Sequence, residues 1–470
     1  MKRGEELTVE VESLTPEGAG VARVEGLVMF VREGVAGDRL RVQVSRVRKN
    51  FVEASILEVL TPSAARTAPR CRYFGECGGC RLQHVDYGAQ AEFKRRHVID
   101  ALERIGGFRG IEVRPTLASS SPYLYRNKME FSFGERWLSR REVEEGDART
   151  DRFALGLHIP ARFDRVLDIQ ECWLQSEASV RITNEVRAFA RERSLPIYST
   201  RTHTGYLRHL AIRQSQRTGD LMVNLVTSEG RPAVMQSLTD RLRTAVPSIT
   251  TVVNNITARK SQVAVGETET VYYGPGYITE ALGMRRYRVS ANSFFQTNTA
   301  QAERLYDAAC EAAELRREDV VYDLYSGTGT IALHLADAVD RVVGVEAVEA
   351  AVADARRNAE FNGVRNCEFV VGDLKDRLTR DTAWMRAQPP PSVVVLDPPR
   401  AGCHDDVLEA VARLKPERIV YVSCNPATQA RDAQKLCSLA PYVPGSAQPV
   451  DMFPQTGHIE NILPLSISRT

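Results

Sequence analysis

Five short apolar runs in the last part of the chain constrain its fold more than anything else in the sequence. They are Val320-Val-Tyr-Asp323-Leu, Arg341-Val-Val-Gly-Val-Glu346, a run ending Gly372-Asp373, Val393-Val-Val-Leu-Asp397, and Arg418-Ile-Val-Tyr-Val-Ser-Cys424. Continuous apolar, β-branched runs of this length predict strands buried on both faces, as in a parallel sheet. Residues 331–336 and 350–362 between them read as helices, so the segment predicts a doubly wound, Rossmann-like α/β sheet. Ligands of such sheets bind beyond the carboxyl ends of the strands, which is where Cys424 stands, stopped by Asn425-Pro426. Taken alone, Cys424 fits an inert buried cysteine as well as a nucleophile.

The turn after the first strand, Tyr325-Ser326-Gly327-Thr328-Gly329-Thr330, joins strand to helix, the context in which a Gly-x-Gly pair carries information. Glu346 ends the second strand about 20 residues later, the separation at which a carboxylate meets ribose hydroxyls. The third glycine of the dinucleotide pattern is missing, and acids end the first three strands. That suits a methyl-donor nucleoside, with a dinucleotide enzyme as the alternative.

At 470 residues the chain has room for about three domains. Its 62 basic residues nearly cancel 60 acidic ones, so an RNA partner must be recognised by local clusters. Residues 1–62 alternate apolar and polar side chains between glycines and predict a small OB-type β-barrel. Arg39, Arg41, Arg46, Arg48 and Lys49 fall in one hairpin-sized segment there, fitting either an RNA backbone or a solvated edge strand. Residues 63–290 predict an α+β domain, with helices over 86–105 and 177–193. Lys94, Arg95 and Arg96 are expected on the polar side of the first. Basic and aromatic residues interleave at Tyr123-Leu-Tyr125-Arg126-Asn-Lys128, Tyr206-Leu-Arg208-His209 with Arg213, and Arg285-Arg286-Tyr287-Arg288, which suits phosphate pairing and base stacking. Residues 140–152 read as a surface loop. A helix over 300–318 opens the last domain, residues 291–470.

Cys71-x5-Cys77-x2-Cys80 places three thiols within ten residues, and Cys172 is the next cysteine along. Nine cysteines are too few for a disulfide scaffold, so the array predicts a metal site, with zinc and an iron–sulfur cluster both compatible with the spacing. The charged N-terminus and the lack of any membrane-length apolar run predict a cytoplasmic protein.

Asp397-Pro-Pro-Arg400, Ser423-Cys424-Asn425-Pro426 and Asp451-Met-Phe-Pro-Gln-Thr-Gly-His458-Ile-Glu460 together resemble the RumA/TrmA-type RNA (uracil-5-)-methyltransferases. So do Ser293-Phe-Phe-Gln296-Thr-Asn298, the cysteine array, and the N-terminal barrel, which is similar to a TRAM domain. The resemblance implies a class I methyltransferase domain joined to the barrel and to an α+β middle domain carrying a [4Fe-4S] cluster on Cys71, Cys77, Cys80 and Cys172. It implies Cys424 as nucleophile, Glu460 as general base, and Asp397 beside the base and the donor. S-adenosyl-L-methionine is then held by Gln296, Tyr325, Gly327, Gly329, Thr330, Glu346 and Asp373, although Ser326 and Thr330 replace the Cys and Asn of some relatives. Members with both barrel and cluster mostly act on 23S rRNA, so that RNA is expected before tRNA, with the enzyme a monomer. Cys403 is the rival nucleophile, lacking a strand-end setting, while Cys310, Cys367 and Cys437 read as packing residues. Two other classes fit less well. An amino-methyltransferase needs an aromatic where Arg400 stands, and a non-catalytic RNA-binding factor has no use for Cys424 and Glu460.

Overall fold

The computed structural model describes residues 1–146, 152–160, 162, 164–260 and 263–468. Residues 147–151 of the charged segment expected as a surface loop lie outside them; its start, Arg140–Glu144, is a short helix.

The N-terminal residues form a six-stranded sheet around Val9, Met29, Leu40, Val42 and Val52. In the strand Arg39–Val47, alternation up to Ser45 sends Leu40, Val42 and Val44 inward and Arg39 and Arg41 outward. Arg41 is clamped between Glu6 at 3.1 Å and Glu58 at 2.9 Å on the two flanking strands. It is thereby neutralised, whereas Arg39, Arg48 and Lys49 are exposed and hold no ion pair among the described residues.

A seven-stranded sheet follows, in the order 268–273, 251–256, 221–227, 207–214, 128–137, 153–158, 165–168. The helices Glu177–Glu192 and Pro232–Ala245 contribute Ile182, Val186, Phe189, Met235, Leu238 and Leu242 to its core. Two sequence expectations fail here. Tyr206, Arg208, His209 and Arg213, read as RNA-facing, are buried: Arg208 donates to the carbonyl of Thr257 at 3.1 Å, and Arg213 to those of Ala291 and Ser293. Tyr125 and Tyr287 are core residues too. The helix Tyr87–Arg104, capped by Asp86 accepting from the Gly88 amide at 2.9 Å, does not put Lys94 on its polar side. Lys94 is fully buried against Asp451 at 2.6 Å.

The C-terminal sheet has eight strands, with the path 367–371, 341–346, 320–324, 393–396, 418–423, 460–467, 442–444; Gln448–Val450 also pairs with 460–467. The first five strands run parallel and Glu460–Ile467 antiparallel to its neighbour. Every predicted strand is present, and the two predicted helices are Thr330–Leu335 and Glu349–Phe361, joined by further connecting helices such as Asp405–Leu414. The preceding helix ends at Ala313, short of 318, because Glu314 turns left-handed at φ 46°. The hairpin 277–290 packs Leu282, Tyr287 and Val289 into the same core as Val321, Ile331 and Val352. On the other face of the sheet lie Val98, Ala101 and Leu102 of the helix Tyr87–Arg104.

Candidate active site

Cys424 is the first residue past its strand, and Asn425 then caps the helix Pro426–Leu439 by accepting from the Ala427 amide at 3.1 Å. Strand-to-helix reversal at this point leaves the thiol half-buried at the sheet's edge. The register Ser423 to Asn461, continued by one step, sets Cys424 opposite Glu460 on the adjoining antiparallel strand. Glu460 is 6 % exposed, and burial together with the charge of Asp397 holds its carboxyl well above the usual carboxylate range, Arg400 opposing. Burial and the Glu460 charge push the Cys424 thiol up to about 11, again with Arg400 opposing. Burial pushes Asp397, at the end of Val393–Leu396, up to about 7. Three strand ends therefore bring together a thiol, two carboxyls of raised proton affinity and one guanidinium.

The thiol and the guanidinium open on a cavity of about 510 Å3. Cys424, Arg400 and His458 line one side of it, Gly78 and Gly79 of the cysteine array another, and Pro16 and Glu17 of the N-terminal barrel a third. The barrel touches the 451–459 loop directly: a Cβ on Gly457 would stand 1.6 Å from the carbonyl oxygen of Pro16. Only glycine permits that approach.

On the donor side, Tyr325, Gly327 and Gly329 all take positive φ, at 67°, 54° and 77°. For Tyr325 this left-handed backbone is a strained conformation, of the kind that clusters at functional turns. Glu346 accepts from the Gly327 amide at 3.0 Å and from the Val348 amide at 2.9 Å, so its carboxylate shapes the turn. A Cβ on Gly327 would meet open space, whereas one on Gly329 would strike Phe369 at 2.7 Å. Gly327 thus faces a potential ligand, while Gly329 allows the helix to pack. One carboxylate oxygen of Asp323 and the hydroxyl of Ser326 are buried with no partner among the described residues, and burial plus Asp397 pushes Asp323 up to about 8. A turn of this polarity fits a nucleoside donor. Gln296 is half-buried, its carbonyl accepting from Asn127 at 2.8 Å. The Thr330 hydroxyl pairs with Tyr306 at 2.9 Å, and Asp373 caps the helix Leu374–Thr379 through the Lys375 amide at 2.8 Å. These two already have structural tasks.

Burial pushes Cys71 up to about 11 and Cys80 to about 12, with the charge of Cys172 next among the raising causes in both. Cys77 and Cys172 are also raised by burial, and the Gly79 amide donates to the Cys77 sulfur at 3.4 Å. Among the described residues no group of three or more His, Cys, Asp or Glu is placed to hold a metal ion. Arg70 stacks on Trp173 at 4.3 Å and Tyr123 at 5.2 Å beside them. Cys403 is buried and bonded to Tyr421 at 3.6 Å, away from the cavity wall. Sequence reasoning passed over Asp323 as a site residue and gave Arg400 only a negative role, although each stands within or beside a recognisable motif.

A doubly wound sheet whose glycine turn is held by the acid of the next strand is an architecture that class I methyltransferases share with dinucleotide enzymes, and the likeness to known proteins decides for the former. The tRNA (Uracil-5-)-methyltransferase family profile matches residues 234–467, and the TRAM domain profile residues 1–57. An uncharacterized RNA methyltransferase of Chlorobaculum tepidum is 47% identical over 95% of this chain and 92% of its own length; another, of Porphyromonas gingivalis, is 41% identical over 97% and 98%. Among solved structures, the tRNA (uracil-54, C5)-methyltransferase of Pyrococcus abyssi in complex with S-adenosyl-L-homocysteine superposes with a TM-score of 0.74 at 29% identity, covering 98% of this chain and 100% of that one. The chain belongs to this family of S-adenosylmethionine-dependent RNA (uracil-5-)-methyltransferases, with a TRAM domain at its N-terminus. Among the described residues no helix is long and apolar enough to cross a membrane.

Proposed function

We propose that the protein methylates C5 of a uridine in 23S rRNA through a covalent bond between Cys424 and C6 of the base. The observation that carries this reading is that Cys424 and Arg400 share the wall of one cavity while Glu460 stands buried opposite Cys424 on the adjoining strand. Uracil C5 is too weak a nucleophile to attack a sulfonium methyl group unaided. Cys424 rests as a thiol; once the base is bound its proton leaves through the open cavity, and Arg400 favours the thiolate. The sulfur then bonds to C6, and the ring electrons move towards O4 and C5. S-adenosyl-L-methionine, held by Gln296, Tyr325, Gly327, Gly329 and Glu346, supplies the electrophilic methyl group. Glu460 must first give up its own proton to solvent; the carboxylate so formed, a stronger base for its raised proton affinity, takes the remaining C5 proton, and the C5–C6 double bond re-forms as the Cys424 thiolate departs. Asp397, when ionised, accepts from N3–H of uracil, a proton cytosine lacks.

Cys71, Cys77, Cys80 and Cys172 carry a [4Fe-4S] cluster in this reading. Its task is to fix the Gly78-Gly79 wall of the cavity, since the methylation transfers no electrons. The barrel, the middle region and the catalytic sheet form three domains, with the 277–290 hairpin belonging to the last. The enzyme acts as a cytoplasmic monomer. Transfer to tRNA is the second reading, favoured by the likeness to the tRNA (uracil-54, C5)-methyltransferase of Pyrococcus abyssi. RNA carrying 5-fluorouridine tests the mechanism: fluorine cannot leave C5 as a cation, so a denaturation-resistant protein–RNA adduct is expected, absent in Cys424→Ala. No adduct with any RNA would refute the covalent step.

A further inference from the structure

The loop 451–459 carries the catalytic motif, and its two stems are neighbours: Val450 pairs with Glu460 across the ladder. Asp451 therefore sits one residue from the register partner of the base. One face of the helix Tyr87–Arg104 reaches this loop with three polar residues at positions i, i+3 and i+7. Tyr87 donates to one oxygen of Asp451 at 3.1 Å and Lys94 to the other at 2.6 Å. Lys94 also donates to the Phe453 carbonyl at 3.1 Å. Gln90 exchanges two bonds with Gln455, at 3.0 and 3.1 Å. Lys94, Gln90 and Asp451 are all 0 % exposed. Beyond Gln455, its carbonyl accepts from the Arg81 and Leu82 amides at the end of the cysteine array, at 2.7 and 3.0 Å.

A buried ion pair is a poor stabiliser compared with apolar packing of the same volume, but it fixes geometry, because either partner left alone is heavily penalised. Tyr125, Asn298 and Gln301 donate to the Pro454, Met452 and Asp451 carbonyls of the loop at 3.0, 3.2 and 3.1 Å, while the Asp451 carboxylate is held by Lys94 and Tyr87.

We infer that Lys94 is a positioning residue for methyl transfer: through Asp451 it holds the stem of the loop so that Glu460 meets the C5 proton above Cys424. The inference rests on the assignment of Glu460 as base given above. Lys94 touches neither substrate nor donor; what it sets is the step that follows methyl transfer, not adduct formation.

The test compares Lys94→Met and the isosteric Asp451→Asn with Glu460→Gln, using full-length protein, 23S rRNA lacking 5-methyluridine, and S-adenosylmethionine. Thermal unfolding gives the folded fraction of each, and Asp451→Asn serves where Lys94→Met fails to fold. The expected result is a turnover lowered about 10- to 100-fold per folded molecule, with RNA affinity unchanged and protein–RNA adduct accumulating on denaturing gels, as in Glu460→Gln. Unchanged turnover per folded molecule would show a purely structural role and overturn the inference. So would adduct and methylation falling together, since the defect would then precede the base step. If Glu460→Gln itself traps no adduct while Cys424→Ala stays inactive, the assignment of the base falls, and this inference with it.

Discussion

Arg213 stands one residue before the end of a central strand and Cys424 one residue past the end of another, and the sheets put them to opposite use. In the middle sheet the guanidinium of Arg213 is buried to 3 % exposure and directed at the carbonyls of Ala291 and Ser293, tying that sheet to the segment leading into Gln296. Burial pushes it down to about 10, with Glu130 and Asp354 opposing, so it stays charged. In the C-terminal sheet Cys424, Asp397 and Glu460 lie at or beyond strand ends, and the first of these opens on a cavity. A charged or reactive group within a covered strand becomes a structural tie. The same chemistry one residue past the strand is left for a ligand. Substitutions in the two regions should therefore separate into losses of stability and losses of activity.

The largest effect short of removing the nucleophile is expected from Glu460→Gln, which should lower methylation about 10^2- to 10^4-fold and, since the buried carboxyl binds its proton more tightly folded than unfolded, raise rather than lower stability to urea near neutral pH. A stability loss without an activity loss would place Glu460 with Arg213 rather than with Cys424. Gly457→Ala comes next. Its Cβ cannot coexist with the Pro16 carbonyl, so the barrel must move off the catalytic loop. A fall of about 10- to 100-fold in kcat/KM for RNA is expected, with faster proteolysis between barrel and array. Full activity would mean that the barrel is no wall of the cavity.

Arg213→Met should cost about 2–4 kcal/mol in urea unfolding, because two buried carbonyls lose their donor, while kcat at saturating donor changes little. A collapse of kcat with intact stability would erase the distinction between tie and site. The smallest effect concerns Asp397. An unfolded aspartate ionises near 3.8 and Asp397 near 7, so between those values the folded chain binds the extra proton and its stability falls as pH rises. Asp397→Asn should remove that slope and raise stability at pH 8 by about 1–3 kcal/mol while lowering activity on uracil. Unchanged activity would sink the role of Asp397, and an unchanged slope its burial.

The catalytic sheet was legible because its signals are local: apolar runs, a glycine turn and strand-terminal acids within a few residues of one another. The alternation of Arg39–Val47 gave the barrel strand for the same reason. What was not legible depended on distant partners. Lys94 reads as a solvated helix residue because Asp451 lies 357 positions away. Tyr206, Arg208 and Arg213 read as an RNA face because interleaved basic and aromatic residues look alike whether they meet phosphates or backbone carbonyls. The contact of Pro16 with Gly457 left no trace beyond one glycine in a motif.

Methylation of uracil through Cys424 is tested most directly by nucleoside analysis after incubating anaerobically purified protein with labelled S-adenosylmethionine and, separately, 23S rRNA and bulk tRNA lacking 5-methyluridine. The expected product is 5-methyluridine in the 23S rRNA alone, and none with Cys424→Ala. Product in tRNA alone would reassign the substrate, and 5-methyluridine formed at an undiminished rate by Cys424→Ala would contradict the covalent mechanism.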